Sequence, residues 1–438
     1  MKNFFIRITL ILLVGLSFFL SFFIWTNNRA FSGKTSIISN NNIATPVDHS
    51  HNLANLYNPI KILEVDGRGN KYILSDRVTD ITESIKVIFN KLDLKRLIKY
   101  TADSNSQYEN LLTSTDSIQL YYQAPISINI LSDTFGFKYD SKIKDFSINR
   151  VIIRQISPIE TEIYFANDKN LQYYYISLLL KKNHLFDIVS KIKNKILIKE
   201  ERIGLSYLIN YQNPISLKSY VYLVKTLDDS VFVSNFMTND GSAGLTFDSK
   251  ANIYKKGLTK SLTVNNETGL VHFIDYHLDS NQVPNGLTSL LKTSKDTMQK
   301  IDNSFNSFRY FAKTGKKHVV FRSYIDGFPV FYNEQKGDVS LLWQKNSQSF
   351  YFSNTTLEVP ISTSQNSVTI ETTNSLLQRL KNKGIKIRDI QDIQLGYSWV
   401  KNNDSVEVIN LLPGYFIKIG GIYRDAATII NHQGGDNS

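Results

Sequence analysis

The chain has 438 residues, of which 42% are hydrophobic, 12% aromatic and 20% charged, so about three domains can each bury a core and wholesale disorder is excluded. It contains no cysteine, which removes disulfides, thiolate catalysis, zinc ribbons and iron–sulfur clusters together. With 50 Lys and Arg against 39 Asp and Glu the net charge is +11, which suits nucleic acid, anionic lipid or an acidic wall polymer according to compartment.

The N-terminus selects the compartment. Ile8 to Trp25 is an uncharged run of 18 residues, about the shortest length that spans a bilayer. Lys2 and Arg7 precede it, and Trp25 stands at its far end, where aromatic belts lie. The run exceeds the apolar core of a signal peptide. The nearest cleavage-like site, Asn28-Arg29-Ala30, has an amide where a small residue belongs. Residues 1–26 therefore read as a cytoplasmic tip and an uncleaved anchor in the cell membrane, with the bulk of the chain extracytoplasmic; the alternative is a cleaved signal with an unusual site. Outside the membrane, nucleic acid drops out as a partner, leaving lipid headgroups and anionic wall polymer. Within the run, Gly15, Ser17 and Ser21 are candidate partner-binding residues, because small side chains let helices approach closely in lipid. Ser17 and Ser21, four apart, share a face. The bland alternative is that each hydroxyl bonds back to its own helix.

Residues 27–57 are Asn/Ser/Thr-rich and read as a polar stalk. A first α+β domain is expected over 58–148: a hairpin through Asp66-Gly67-Arg68-Gly69, a helix over Thr82–Ile98, and a strand over Ser117–Leu131 with Pro125 marking an edge or bend. A middle domain over 149–295 follows. Its strands are Val151–Ile153, Glu162–Phe165, Tyr173–Leu180, Lys218–Val224, Val231–Val233 and Leu270–Tyr276, with helical spacing around His184–Lys195. A polar helix over Leu287–Ser307 leads into a third domain, 296–426. Strands are expected there at His318–Phe321, Val330–Tyr332, Val339–Trp343, Ser349–Phe352, Ile393–Val400, Val406–Leu412 and in Tyr415–Tyr423, with a short helix at Asn374–Lys383. Residues 427–438 read as a loose tail. Strand-rich stretches broken by single helices predict an α+β fold of mainly antiparallel sheets.

Candidate chemistry is sparse. His272 and His277 in HFIDYH would point to opposite faces of a strand, while His49 and His51 lie in the stalk and His432 in the tail, where a rigid metal site is not expected. Ser141-Lys142-Ile143-Lys144, Ser304-Phe305-Asn306 and Lys313-Thr314-Gly315 have the order of penicillin-binding motifs. Their spacing argues against such a site: Ser141 lies in a charge-rich stretch, and the last two motifs are nearly adjacent. No catalytic residue, cofactor site or metal site is assigned. The basic run Lys181, Lys182, Lys191, Lys193, Lys195, Lys199 and Arg202 is interleaved with Asp187, Glu200 and Glu201, as on a solvated face, and otherwise suits an anionic polymer or headgroups.

Several stretches carry a resemblance. Pro214–Phe236 has a Pro-led Tyr strand, Gly327-Phe328-Pro329-Val330-Phe331 is similar to a Gly-Tyr-Pro-Val-Phe pattern, and Ile390–Trp399 holds Gly396, Tyr397 and Trp399. With Pro413 and Tyr415 in Leu412–Phe416, these resemble the YycH family of membrane proteins that partner the WalK sensor histidine kinase. The resemblance implies a non-enzymatic regulator of the two-component system governing cell-wall metabolism. It also implies a three-domain ectodomain whose middle and last domains are alike, and action together with the membrane protein YycI, largely through transmembrane helices. A wall-polymer- or lipid-binding envelope protein is the alternative that anchor, stalk and basic surface suit equally.

Overall fold

The computed structural model describes residue 17 and residues 55–138, 144–180, 184–204, 206–237, 244–247, 250–301, 308–332, 338–361, 366–402, 405 and 407–432. The chain divides into two units, Met1–Val47 and Asp48–Ser438. In the first, Ser17 is helical and exposed. The rest of the expected anchor, with Gly15 and Ser21, lies outside the described residues, and among the described residues no helix is long and apolar enough to cross a membrane.

The second unit opens with the expected hairpin, β1 (Lys61–Val65) and β2 (Lys71–Leu74). Asp66 closes its turn by accepting from the amides of Arg68 and Asn70 at 2.9 and 2.8 Å, while Gly69 takes φ +83°. The chain continues through α1 (Val78–Phe89), β3 (Ile98–Thr101), α2 (Asn105–Leu112), β4 (Ser117–Ser127), α3 (Ile128–Phe135), β5 (Ser147–Gln155), β6 (Glu160–Asn167), β7 (Gln172–Leu179), α4 (His184–Val189), β8 (Lys195–Ile203) and β9 (Ser206–Tyr211). The nine strands form one antiparallel sheet in the order β3-β7-β6-β5-β4-β1-β2-β8-β9. On one face, Ile62, Leu120, Ile153 and Phe165 share a core with Ile85 and Phe89 of α1, Leu131 of α3 and Leu185 of α4. The opposite face, with Leu63, Ile73, Tyr121 and Ile198, packs into a second core.

Three expectations change here. Helix α1 ends at Phe89 instead of continuing to Ile98, because Asp93 accepts from the Lys95 amide at 3.2 Å and starts a separate short turn. The strand expected to reach Leu131 ends at Ser127, whose hydroxyl caps α3 by accepting from Ile130 N at 3.3 Å; Pro125 lies in the β-bulge between Tyr121 and Ile126. Residue 148 lies inside β5, a central strand, so the first sheet runs on to Tyr211 instead of ending there.

From there the chain runs β10 (Ile215–Lys218), β11 (Tyr220–Thr226), α5 (Asp229–Met237), β12 (Gly244–Phe247), β13 (Ala251–Lys256), β14 (Lys260–Asn265), β15 (Leu270–Asp275), α6 (Gly286–Ile301), β16 (Phe308–Thr314), β17 (His318–Ile325), β18 (Phe328–Tyr332), β19 (Asp338–Trp343), β20 (Gln348–Ser353), β21 (Thr355–Pro360), β22 (Ser367–Ile370), α7 (Thr373–Asn382), β23 (Ile390–Lys401), β24 (Val408–Ile419), β25 (Ile422–Asp425) and α8 (Ala426–His432). A continuous path β12-β13-β14-β15-β20-β19-β17-β18-β23-β24-β11-β21 joins a middle lobe to a C-terminal lobe, with β16 on β17 and β25 on β24; β10 and β22 pair separately. Along it β18–β23 is parallel and the other pairings are antiparallel, as an α+β fold of mainly antiparallel sheets requires.

Val231–Val233, expected as a strand, lies in helix α5. Phe232 and Phe236 are buried while Ser234 between them is exposed, whereas a strand would turn all three to one face, and Asp228 accepts from the Ser230 amide at 2.8 Å at the helix start. Residue 295, the second expected boundary, lies within α6. The expected loose tail instead begins as α8, started by Asp425 accepting from Ala427 N at 2.7 Å, with Ile430 buried; residues 433–438 lie outside the described residues.

Candidate functional site

The family-like motif residues come together as one packed joint. Gly327, at φ +79°, turns β17 into β18, so that Val330, Phe331 and Tyr332 lie beside Tyr397, Ser398 and Trp399 of β23. Gly396 makes that parallel approach feasible: a Cβ there would stand 2.4 Å from the Pro329 carbonyl oxygen and 2.7 Å from the Phe331 ring. On the other side of β23, Tyr397 lies opposite Pro413, Gly396 opposite Gly414, and Leu395 opposite Tyr415. Trp399 packs on Tyr332 with ring centroids 4.4 Å apart, and the Tyr415 hydroxyl donates to the Glu371 carbonyl at 2.9 Å. These residues weld the C-terminal lobe to the middle lobe.

A second cluster lies where the first sheet meets both lobes. Arg150, fully buried on β5, donates from Nη2 to Glu200 at 2.9 Å and to Asp168 at 3.0 Å, and from Nη1 to Gln119 at 3.1 Å. Lys71 Nζ completes the group, reaching Glu200 at 2.5 Å and the Leu112 carbonyl at 2.7 Å. Burial alone would lower the Arg150 pKa, but Asp168 and Glu200 outweigh it and hold the guanidinium charged. Burial likewise pushes the Glu200 carboxyl up, and Arg150 and Lys71 overcome it to hold the group well below the usual carboxylate range. Two cations thus face two anions in the interior, with side-chain hydrogen bonds to spare: Tyr108 OH donates to Asp168 at 2.7 Å.

Nearby, Asp392 of the C-terminal lobe accepts from Gln123 of the first sheet at 2.8 Å, from Gln394 at 2.9 Å and from the Tyr423 hydroxyl at 2.5 Å. The buried Lys61 amine reaches Gln394 Oε1 at 3.5 Å; burial pushes its pKa down to about 8, with Asp392 opposing. Arg322 lies over the rings of Phe331 and Phe311 at 4.1 and 4.6 Å and pairs with Asp338. A cleft of about 470 Å³ opens at this junction, lined by Asp168 and Tyr207 of the first sheet, Lys313 of the middle lobe, and Asp392, Lys418 and Tyr423 of the C-terminal lobe.

Of the other expected features, Lys313 and Thr314 line this cleft, and the histidine pair and the basic run do not. His272 accepts or donates at Ser349 (2.9 Å) and stacks on Tyr351, while His277 is exposed beyond the strand end. Lys313-Thr314-Gly315 ends β16, with Lys313 Nζ donating to the Gly315 carbonyl at 2.7 Å; Ser141 and Ser304–Asn306 lie outside the described residues. In the basic run, Lys195 pairs with Glu64 at 2.6 Å and Lys199 with Glu201 at 3.7 Å, while Lys181 and Lys182 lie outside the described residues. Glu200, expected on a solvated face of the basic run, is instead buried between Arg150 and Lys71, and the buried charges at Lys71, Arg150 and Asp168 carry no assignment in the sequence. Their only local signal is a lone arginine within the strand SINRVII.

A chain whose buried charges balance between strands and whose motif glycines admit neighbouring backbones belongs to the class of multi-lobed β-rich scaffolds. Residues 5–195 match the model of the YycH protein N-terminal domain and residues 207–432 that of the YycH protein C-terminal domain, so the chain belongs to the YycH family. The crystal structure of YycH from Bacillus subtilis is similar in fold, with a TM-score of 0.67 at 14% identity, covering 86% of this chain and 97% of that one. No curated protein matches the chain.

Proposed function

We propose that this protein is a membrane-anchored, non-enzymatic regulator of a WalK-like sensor histidine kinase that governs cell-wall metabolism, acting with a YycI-like membrane protein. The observation that carries this reading is the pair of family matches over residues 5–195 and 207–432, which supports a regulator of a WalK-like system at the level of the family. Anchorage follows from the uncharged run Ile8–Trp25 behind Lys2 and Arg7. Contact inside the bilayer is assigned to the face bearing Gly15, Ser17 and Ser21. A membrane two-hybrid assay against the kinase tests it: the full chain should score, and a chain whose residues 1–26 are exchanged for an unrelated span should lose most of the signal. Equal signal from both would remove the transmembrane contact from the account, and no signal from either would remove the kinase.

A further inference from the structure

The strand register gathers one end of the middle lobe into a row of turns. Lys256 pairs with Lys260, Lys260 with Asp275, Asp275 with Gln348, Gln348 with Trp343, Leu342 with His318, and His318 with Thr314. The turns β13–β14, β19–β20 and β16–β17, and the chain leaving β15, therefore lie side by side. At about 4.8 Å per strand spacing this row is about 29 Å long.

Its composition is one-sided. The three turns carry Lys255, Lys256, Lys260, Lys316, Lys317 and Lys345, against Asp275 and Asp279 among the described residues. Asp275 is already paired with Lys260 at 3.5 Å. At one end of the row Leu258, in the Lys-Lys-Gly-Leu-Thr-Lys turn, is 97% exposed, and beside it Tyr276 is 55% exposed; Tyr276 N donates to the Thr259 carbonyl at 2.7 Å. A bare leucine costs nothing to move into acyl chains, a tyrosine suits the headgroup boundary, and flanking lysines meet anionic phosphates. Tight turns also need no further backbone partners at such a tip. A wall polymer would satisfy the lysines but leave Leu258 in water.

The geometry points to this end of the middle lobe as a docking surface for an anionic lipid bilayer, with Leu258 entering below the headgroups, Tyr276 at their level and the lysines on the phosphates. The nearness of a bilayer rests on the anchored reading above. Because the chain has no cysteine, Leu258→Cys and, separately, Ser17→Cys each give a single thiol for a nitroxide label on the full chain. The probes are vesicles of phosphatidylcholine alone and vesicles that also contain phosphatidylglycerol.

With phosphatidylglycerol, the label at 258 should be shielded from an aqueous relaxation agent and reached by oxygen in the lipid. High salt should reverse this, and each Lys→Gln change at 255, 256, 316, 317 or 345 should cut the docked fraction's equilibrium constant about fivefold. A label at 258 that stays in water in both vesicles overturns the proposal, as does equal shielding in the neutral vesicles. Added poly(glycerol phosphate) that binds through these lysines in preference to the vesicles also overturns it, in favour of a wall polymer. The label at 17 reports the anchor separately: exposure to water there refutes the anchored reading whatever the tip does.

Discussion

Gly396→Ala tests the joint between lobes against an internal control, Gly414→Ala, at the position directly opposite in the β23–β24 register. A methyl at 396 would stand 2.4 Å from the Pro329 carbonyl oxygen and 2.7 and 2.9 Å from two carbons of the Phe331 ring. The carbonyl belongs to a backbone fixed in β18, and Phe331 is itself stacked on Phe416 at 3.9 Å, so neither can step aside. Overpacking of this kind costs about 1–3 kcal/mol, and more if β18 must separate from β23. At Gly414 a methyl meets nothing within 4 Å, and its backbone has no positive φ. There the substitution should stabilise slightly or be neutral, because alanine has less unfolded-state freedom to lose. In a thermal melt followed by near-ultraviolet circular dichroism, Gly396→Ala should lower the midpoint by roughly 1–2 °C per kcal/mol for a unit of this size, while Gly414→Ala should leave it unchanged or raise it. Equal losses at both positions would refute the reasoning, since they would show that any side chain in this strand pair is harmful.

Arg150→Met should cost about 3–5 kcal/mol, because it strands Glu200 and Asp168 in the interior, whereas Lys86→Met on the exposed Lys86–Glu83 pair should cost less than about 0.5 kcal/mol in the same urea titration. Lys61 has a folded pKa of about 8 against 10.5 for the unfolded chain, so the unfolded state binds more protons between these values and stability should rise with pH across that window. The burden is present in full below pH 8, and Lys61→Met should abolish the rise; a wild-type curve that matches the variant's from pH 8 to 10 would contradict the assignment. In the anchor, Ser17→Ile with Ser21→Ile should weaken kinase association in a membrane two-hybrid assay, at about 0.6–2 kcal/mol per contact, while Phe18→Leu with Phe22→Leu on another face should do little. Equal effects of the two pairs would remove the case for that face.

What could be seen in the sequence was local. The Asp66–Gly69 turn announces the β1–β2 hairpin, and Leu376, Leu377 and Leu380 announce α7, because each signal lies within a few residues of the structure it causes. Val231–Val233 misleads, since a run this short has no period of its own, and the helical face shows only where Ser234, outside it, is polar between Phe232 and Phe236. The polar junction was hidden for a different reason. Arg150 finds Asp168 and Glu200, 18 and 50 residues away, and Gln123 finds Asp392, 269 residues away, through strand order that no spacing encodes. The same holds for the basic row, whose lysines come from three separate turns and become neighbours only once the middle lobe is folded. Domain limits suffered likewise. A stretch such as Ser147–Gln155 reads as the start of a domain until its neighbours on both sides, β4 and β6, are known.

The central claim, that this chain regulates a sensor kinase from within the membrane, is tested most directly by reconstitution. The full chain and a WalK-like kinase are placed together in phosphatidylglycerol-containing vesicles, with and without a YycI-like partner, and kinase autophosphorylation is measured. The account predicts that the rate changes when the full chain is present, and that the change shrinks when Ser17 and Ser21 are both isoleucine. An autophosphorylation rate that is the same with and without the chain, in the presence of the partner, would contradict it.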